Sequence, residues 1–232
     1  MTKTKLFVAL AGLVLLVSTQ VSEAALDAIP YPTPGVPNAV TYTFVAANTG
    51  PVTAYFAGSG AAYQSEIAMS VNGGPIGPFG LNNHTSPLGA SFVLGLANAG
   101  DILTFVLQLE TGAHAGQLIY SDPSQNVAYD GFGPPVTPFN QHVYSTAYTA
   151  NTANTALNAA IPFNGTYVAF EDLPANPAVA VDFLPDYNYF DHTFVFTNVA
   201  VPEPSTYIAG ALLALVFGVQ GLRSLRSRKQ AA

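Results

Sequence analysis

The sequence predicts an all-β protein: a two-sheet, jelly-roll-like sandwich flanked by an N-terminal signal helix and a single C-terminal transmembrane helix. Three observations lead to this prediction. Between residues 40 and 200, short runs rich in β-branched and aromatic residues alternate with Gly, Pro and Asn. An apolar run follows two lysines at the start of the chain. A second apolar run precedes an arginine-rich end, so the 232 residues divide into one ordinary domain and two processing segments.

Residues 1–24 have the three parts of a secretory signal peptide. Two lysines supply the positive start, and residues 6–17 form an apolar run that is interrupted only by small residues. Ser22 and Ala24 are the small residues that signal cleavage after Ala24 requires. Because the apolar run is short for a bilayer span, we expect export through the secretion translocon and removal of this segment, the alternative being an uncleaved anchor.

The body follows a proline-rich stretch, residues 25–39, that predicts an extended linker. A period of two is clearest where Leu103, Phe105 and Leu107 alternate with their neighbours, as in a strand with one buried face. Nine strands are predicted in the domain at 40–200. They lie at 40–46, 52–57, 66–71, 90–96, 102–110, 117–120, 143–149, 166–172 and 193–198.

The segments between these strands predict turns, two long loops and one helix. Residues 72–88 and 121–141 are rich in Gly, Pro and Asn, which favours loops. A stretch around 150–160 favours one short helix. Short strands with such connectors are typical of a two-sheet sandwich.

The body contains no Lys or Arg, because all six basic residues lie near the chain ends. Two of the thirteen acidic residues lie in the end segments, which leaves eleven carboxylates between residues 25 and 200. These carboxylates must be solvated, hydrogen-bonded, protonated or bound to an external cation. The charge argues against a nucleic-acid partner, since phosphates are neutralised by Lys and Arg. The lack of cysteine excludes disulfides, thiolate nucleophiles and cysteine zinc sites.

The acidic residues are concentrated late in the body, where they predict a calcium site. Calcium takes six to eight oxygen ligands, and a loop with a carboxylate or amide every few positions can supply several of them. One alternative is a solvated loop held by Asx turns, and another is a pair of catalytic carboxylates, as in glycoside hydrolysis. The candidate ligands are Glu171, Asp172, Asp182, Asp186, Asn188 and Asp191.

The same region resembles a bacterial extracellular domain family of unknown function. Residues 170–174, Phe-Glu-Asp-Leu-Pro, match a strand end of that family, and residues 192–196 match its final apolar strand. The family's Asp-x-Asp-Tyr-Asn-Asp loop is matched by residues 182–191 with two insertions. The resemblance implies a β-sandwich with a calcium-binding loop and no known reaction.

No catalytic motif accompanies the acidic loop, so we expect a protein that is not an enzyme. Gly58-Ser59-Gly60 has the wrong spacing for a serine nucleophile elbow, and the four histidines lack zinc-site spacing. The alternative binding function is a carbohydrate-binding module for extracellular polysaccharide. That hypothesis predicts Tyr187, Tyr189 and Asp186 exposed around one shallow groove.

Residues 201–232 form a three-part tail. An uncharged stretch of 18 residues, 205–222, would span about 27 Å as a helix, enough for the hydrocarbon core of a bilayer. The basic cluster behind it would stay in the cytoplasm. The string before the stretch is Val201, Pro202, Glu203 and Pro204, and the basic cluster is Arg223, Arg226, Arg228 and Lys229.

This tail, behind a signal peptide, resembles the PEP-CTERM sorting signal that exosortases handle. The resemblance implies a Gram-negative-type envelope, a transient inner-membrane anchor, and release or transfer by a membrane protease of the exosortase type. It also implies a cell-surface or biofilm-matrix destination. The alternative is a plain C-terminal membrane anchor.

Overall fold

The computed structural model describes residues 29–131, 140–150, 155–180 and 183–200. The predicted signal peptide with Ala24, the predicted tail and Asp182 lie outside these residues. Within the described ranges, no helix is long and apolar enough to cross a membrane.

The described residues form mostly β structure. The strands, in chain order, are β1 (Phe44–Ala46), β2 (Gly50–Gly58), β3 (Ser65–Val71), β4 (Ser91–Ala97), β5 (Ile102–Leu109), β6 (Leu118–Tyr120), β7 (Val143–Tyr148), β8 (Gly165–Phe170), β9 (His192–Thr197) and β10 (Val199–Ala200). The helices are α1 (Val127–Asp130), α2 (Thr155–Ala160) and one 3-10 turn (Pro123–Gln125).

The strands form two antiparallel sheets. One has the order β10-β1-β5-β3, with β6 beside the second half of β5, and the other has the order β4-β2-β9-β8-β7. The predicted β-rich class with two sheets is therefore confirmed. The jelly-roll-like detail stays a prediction.

Each of the nine predicted strands overlaps an observed one, and β10 is the strand that the sequence did not predict. Asn198, which separates β9 from β10, has a φ of 62°, in the left-handed region that Asn tolerates better than most residues. Its side chain accepts a hydrogen bond from the Asn48 nitrogen at 2.7 Å and donates to the Asn48 carbonyl at 2.9 Å. Since β9 belongs to one sheet and β10 to the other, the chain crosses between the sheets at this residue.

The prediction of a continuous loop at 121–141 is wrong in its first half. Asp122 caps the 3-10 turn, because its carboxylate accepts a hydrogen bond from the Ser124 nitrogen at 2.9 Å, and α1 follows directly. Residues 132–139 lie outside the described ranges. The short helix predicted around 150–160 is confirmed as α2.

The main core lies between the sheets and is rich in phenylalanine. Phe105 from one sheet stacks on Phe196 from the other, with ring centroids 4.1 Å apart. Both side chains are fully buried. Because residues of both sheets share this core, the sheets have the face-to-face arrangement of a sandwich.

A second apolar cluster covers the outer face of β8 and β9. Tyr167 of β8 and Val195 of β9 pack there with Leu157 of α2. Residues from the predicted linker also join it, since the rings of Tyr31 and Tyr189 meet edge to face at 4.7 Å. Strand β8 is therefore buried on both faces, which encloses the end of the strand where the acidic residues begin.

Candidate cation site at the end of strand β8

Strand pairing brings the acidic residues together. Glu171 and Asp172 directly follow β8, and Asp191 directly precedes β9. In the antiparallel pair β8–β9, Phe170 lies opposite His192. The end of one strand therefore lies beside the start of the next, although the chain between them is long.

The three carboxylates form a compact cluster, which we call the carboxylate triad: Glu171, Asp172 and Asp191. Each offers an oxygen, and these oxygens all lie within 4.8 Å of one another. Glu171 and Asp172 are only 1% and 3% exposed, whereas Asp191 is partly exposed. Within the described residues, no other group of three or more His, Asp or Glu side chains lies close enough to share a metal ion.

Few hydrogen-bond donors reach the triad. The Asp172 nitrogen donates to Asp191 Oδ2 at 2.8 Å, and the Tyr187 nitrogen donates to Glu171 Oε2 at 2.9 Å. Asp172 Oδ2 is buried and has no hydrogen-bond partner. A buried carboxylate oxygen without a donor is unfavourable unless a proton or a cation satisfies it.

The electrostatics of the triad favour neutralisation. Burial, followed by the charge of Asp191, raises the pKa of Glu171 well above its usual value and that of Asp172 to about 9. Burial also raises the pKa of Asp191 to about 6. Because the body contains no Lys or Arg, the charge must be removed by protons or balanced by a cation from solution.

A cavity of about 260 Å³ lies over the triad. Residues 60–63 form one part of its lining, and all three triad residues contribute to it. Two further lining residues, Phe183 and Leu184, are each 61% exposed although they are large and apolar. The site therefore combines buried carboxylates with exposed apolar side chains.

The other predicted ligands have different positions. Asp186 is exposed and lines the same cavity. The backbone nitrogen and Nδ2 of Asn188 donate to Asp186 at 2.9 and 2.7 Å, and Asn188 Oδ1 accepts from the Phe190 nitrogen at 2.6 Å. The Asx-turn alternative thus describes Asp186 and Asn188, while Asp182 lies outside the described residues.

The shallow groove expected for a carbohydrate-binding module is not formed by the predicted tyrosines. Tyr189 is 1% exposed, its hydroxyl donates to the Gln141 carbonyl at 3.0 Å, and it accepts from the Asn38 nitrogen at 2.8 Å. Tyr187 is half-buried. That part of the prediction is wrong because the aromatic residues complete the second core.

The loop on the other side of the cavity was not identified as functional from the sequence. Ser59 Oγ donates to the Asp191 carbonyl and accepts from Asn83 Nδ2 at 3.1 Å. The Gly60 nitrogen donates to the Phe190 carbonyl at 2.8 Å, and a Cβ at Gly60 would lie 2.8 Å from the Phe190 ring. The glycine therefore allows this loop to approach the triad closely.

A buried polar layer lies behind the triad and holds its backbone. The Tyr129 hydroxyl donates to the Asp172 carbonyl at 2.6 Å, and His142 Nδ1 lies 2.9 Å from the Glu171 carbonyl. His142 Nε2 lies 2.9 Å from Asp130 Oδ1. No sequence motif marked this layer, because α1 and the residues before β7 were assigned to a loop.

No family model, curated protein or solved structure matches this chain. The chemistry of the site therefore follows from its own residues. What those residues offer is a set of oxygen ligands, a source of negative charge and an adjoining cavity.

Proposed function

We propose that this chain is an exported, non-catalytic protein of the cell surface or extracellular matrix whose β domain binds calcium through Glu171, Asp172 and Asp191. The observation that carries the calcium site is the carboxylate triad, three oxygens within 4.8 Å in a body without Lys or Arg. A divalent cation would supply the charge that the chain itself lacks.

Calcium suits the triad better than softer metals. The potential ligands are carboxylate oxygens, which hard cations prefer, and thiolates are absent from the chain. Calcium–oxygen distances are about 2.4 Å, so two oxygens on opposite sides of one ion lie about 4.8 Å apart. The triad oxygens lie within that distance and could share one ion without rearrangement of the strands.

The competing interpretation is that the triad shares protons rather than a metal ion. The raised pKa values of Asp172 and Asp191 would allow such a state below neutral pH. It leaves the buried Asp172 Oδ2 without a partner unless that oxygen carries the proton. Extracellular calcium would satisfy all three carboxylates at once, and a chelator would destabilise the calcium-bound state but leave the protonated state unchanged.

Export and sorting are supported by the chain ends. Residues 1–24 have the composition of a signal peptide, and residues 201–232 carry the Pro-Glu-Pro string, the apolar stretch and the basic cluster in the order of a PEP-CTERM signal. The proposed partners are the secretion translocon and an exosortase-type membrane protease. The tail would direct the protein to the cell surface or matrix. The calcium site would belong to the β domain that arrives there.

One experiment with two readouts tests the proposal. The full-length coding sequence is expressed in a Gram-negative host that carries an exosortase, and the mass of the extracellular product is measured. We expect loss of residues 1–24 and of the apolar tail. The thermal unfolding of that product is then followed with calcium, magnesium or EGTA, and calcium at a hundred times Kd should stabilise it by about 2.7 kcal/mol.

The matched variants are Asp172→Asn and Asp101→Asn. The first removes a triad carboxylate with little change of shape and should abolish the calcium shift. The second alters an exposed carboxylate in the turn before β5 and should leave the shift intact. Equal stability in calcium and EGTA would remove the metal from the proposal, and an unprocessed product would contradict export and sorting.

A further inference from the structure

The cavity over the triad has the features of a ligand site, and we propose that calcium in this cavity binds a neutral polyhydroxylated ligand, a terminal sugar residue, whose hydroxyls complete the coordination of the ion. This inference rests on the calcium site proposed above. It goes further by assigning the cavity and its apolar residues, Phe183 and Leu184, to recognition of a particular ligand class.

Within the described residues, the triad by itself offers too few free oxygens to fill the coordination sphere of a calcium ion. Calcium takes six to eight oxygens, whereas the triad brings three carboxylates to one point. Asp191 Oδ2 and Glu171 Oε2 each already accept a backbone N–H hydrogen bond. Positions on the ion are therefore left for water or for ligand oxygens, and the cavity of about 260 Å³ is where they would be placed.

The charge of the site selects the class of ligand. The triad and Asp186 carry up to four negative charges around the cavity, which exceed the two positive charges of calcium. No Lys or Arg in the body could offset the difference. Phosphates, sulfates and uronic acids would be repelled, whereas vicinal hydroxyls are neutral oxygen ligands that calcium accepts.

The apolar lining fits the carbon face of a sugar ring. Phe183 and Leu184 remain 61% exposed beside the buried carboxylates, although burying such side chains is ordinarily favourable. A sugar presents hydroxyls along its edge and C–H groups on its face, so it can contact the ion and the apolar residues together. The cavity is slightly smaller than the range of about 300–1,000 Å³ typical of ligand pockets, which favours one ring over a long chain.

The test uses the full chain, purified in a mild detergent, and three neutral probes: the methyl α-pyranosides of mannose, glucose and galactose. Their vicinal hydroxyls differ in stereochemistry, and binding is detected by saturation-transfer NMR. We expect at least one probe to bind in calcium and none to bind in EGTA. Calcium affinity is measured separately by calorimetry, so that the loss of each kind of binding can be recognised.

The variants Phe183→Ala and Leu184→Ala should each weaken glycoside binding by about fivefold while leaving calcium affinity unchanged. Leu96→Ala is the matched control, because Leu96 is 76% exposed in β4 and does not line this cavity, and it should change neither affinity. Calcium binding without any glycoside binding would overturn this inference and leave the calcium site standing. Glycoside binding that persists in EGTA would overturn the bridging role of the ion. If the wild type binds neither calcium nor a glycoside, both proposals are overturned.

Discussion

Two buried acidic regions lie next to each other in this protein and differ in the partners of their carboxylates. In the first, Asp130 is fully buried, but its Oδ1 lies 2.9 Å from His142 Nε2 and accepts a hydrogen bond from the Ala175 nitrogen at 2.9 Å. In the second, Glu171 and Asp172 of the triad are also buried, but within the described residues no basic side chain pairs with their carboxylates.

The comparison shows that burial alone does not identify a cation site. Asp130 Oδ1 has a histidine partner and a backbone donor, so hydrogen bonds within the fold satisfy this oxygen. The triad has few donors and three carboxylates, so its balance must come from outside. Asp101, in the turn before β5, is a third case. Hydrogen bonds, first from the Asn98 backbone, lower its pKa, as expected of a carboxylate that accepts several donors as an anion.

The largest expected effect is a loss of stability when Asp130 is replaced. Asp130→Ala leaves His142 buried without its partner and removes the acceptor of the Ala175 nitrogen, so we expect a loss of about 3–5 kcal/mol in the free energy of unfolding. Urea denaturation in calcium and in EGTA measures it. The loss should be the same in both media, since the hydrogen-bond partners of Asp130 lie within the fold. A loss that disappears on adding calcium would mean that Asp130 belongs to the cation site.

An intermediate effect is expected from pH in the absence of metal. The pKa of Asp172 is raised from 3.8 to about 9, so between these values the folded chain holds a proton that the unfolded chain has released. Stability is therefore fully present below about pH 4 and decreases as pH rises toward 9, and the Asp191 pKa of about 6 adds to the decrease in the acidic half of this window. Thermal unfolding in EGTA at several pH values measures this slope.

Calcium should reverse the slope, because binding requires the carboxylates in their ionised form. Asp172→Asn should reduce the slope in EGTA, since one of the carboxyl groups with a raised pKa is gone. If the EGTA-treated chain instead becomes more stable between pH 5 and pH 8, the carboxylates are satisfied as anions without metal and the contrast with Asp130 fails.

The smallest expected effect concerns the layer behind the triad. Tyr129→Phe removes the hydroxyl that donates to the Asp172 carbonyl at 2.6 Å, which should cost about 1 kcal/mol of stability and weaken calcium binding by a few fold. Tyr148→Phe is the matched control, because it removes a buried hydroxyl bonded to the Ile161 carbonyl in the second core. Calorimetric titration with calcium should distinguish the two variants. Equal calcium affinities would show that Tyr129 only stabilises the fold.

Local patterns in the sequence predicted most of the strands because strand signals are local. The alternation of Leu103, Phe105 and Leu107 marks β5 without any knowledge of its neighbours. The same kind of signal could not predict β10, which exists because Asn198 turns the chain from one sheet to the other. It also could not predict that β8 is buried on both faces, since the covering residues Tyr31 and Leu157 come from distant segments.

For the candidate site, the sequence identified the type of ligand atom, carboxylate and amide oxygens, better than the set of residues that come together. Six residues were predicted as ligands, and the strand pairing gathers Glu171, Asp172 and Asp191. Asn188 instead holds an Asx turn with Asp186. The spacing of residues along a loop shows which oxygens are available. Only the register of β8 against β9 determines which of these oxygens come together.

By itself, the sequence determined the β-rich class of this protein, the scarcity of basic charge in its body and the absence of cysteine chemistry, because these depend on composition and short-range pattern. Tertiary contacts were needed to show which carboxylates are buried together and that a cavity with exposed Phe183 and Leu184 adjoins the triad. They also showed that, among the described residues, Asp130 has a histidine partner whereas Asp172 has no basic partner. Those outcomes depend on contacts between residues far apart in the chain, and burial and pairing, not composition, set the charge state of a carboxylate.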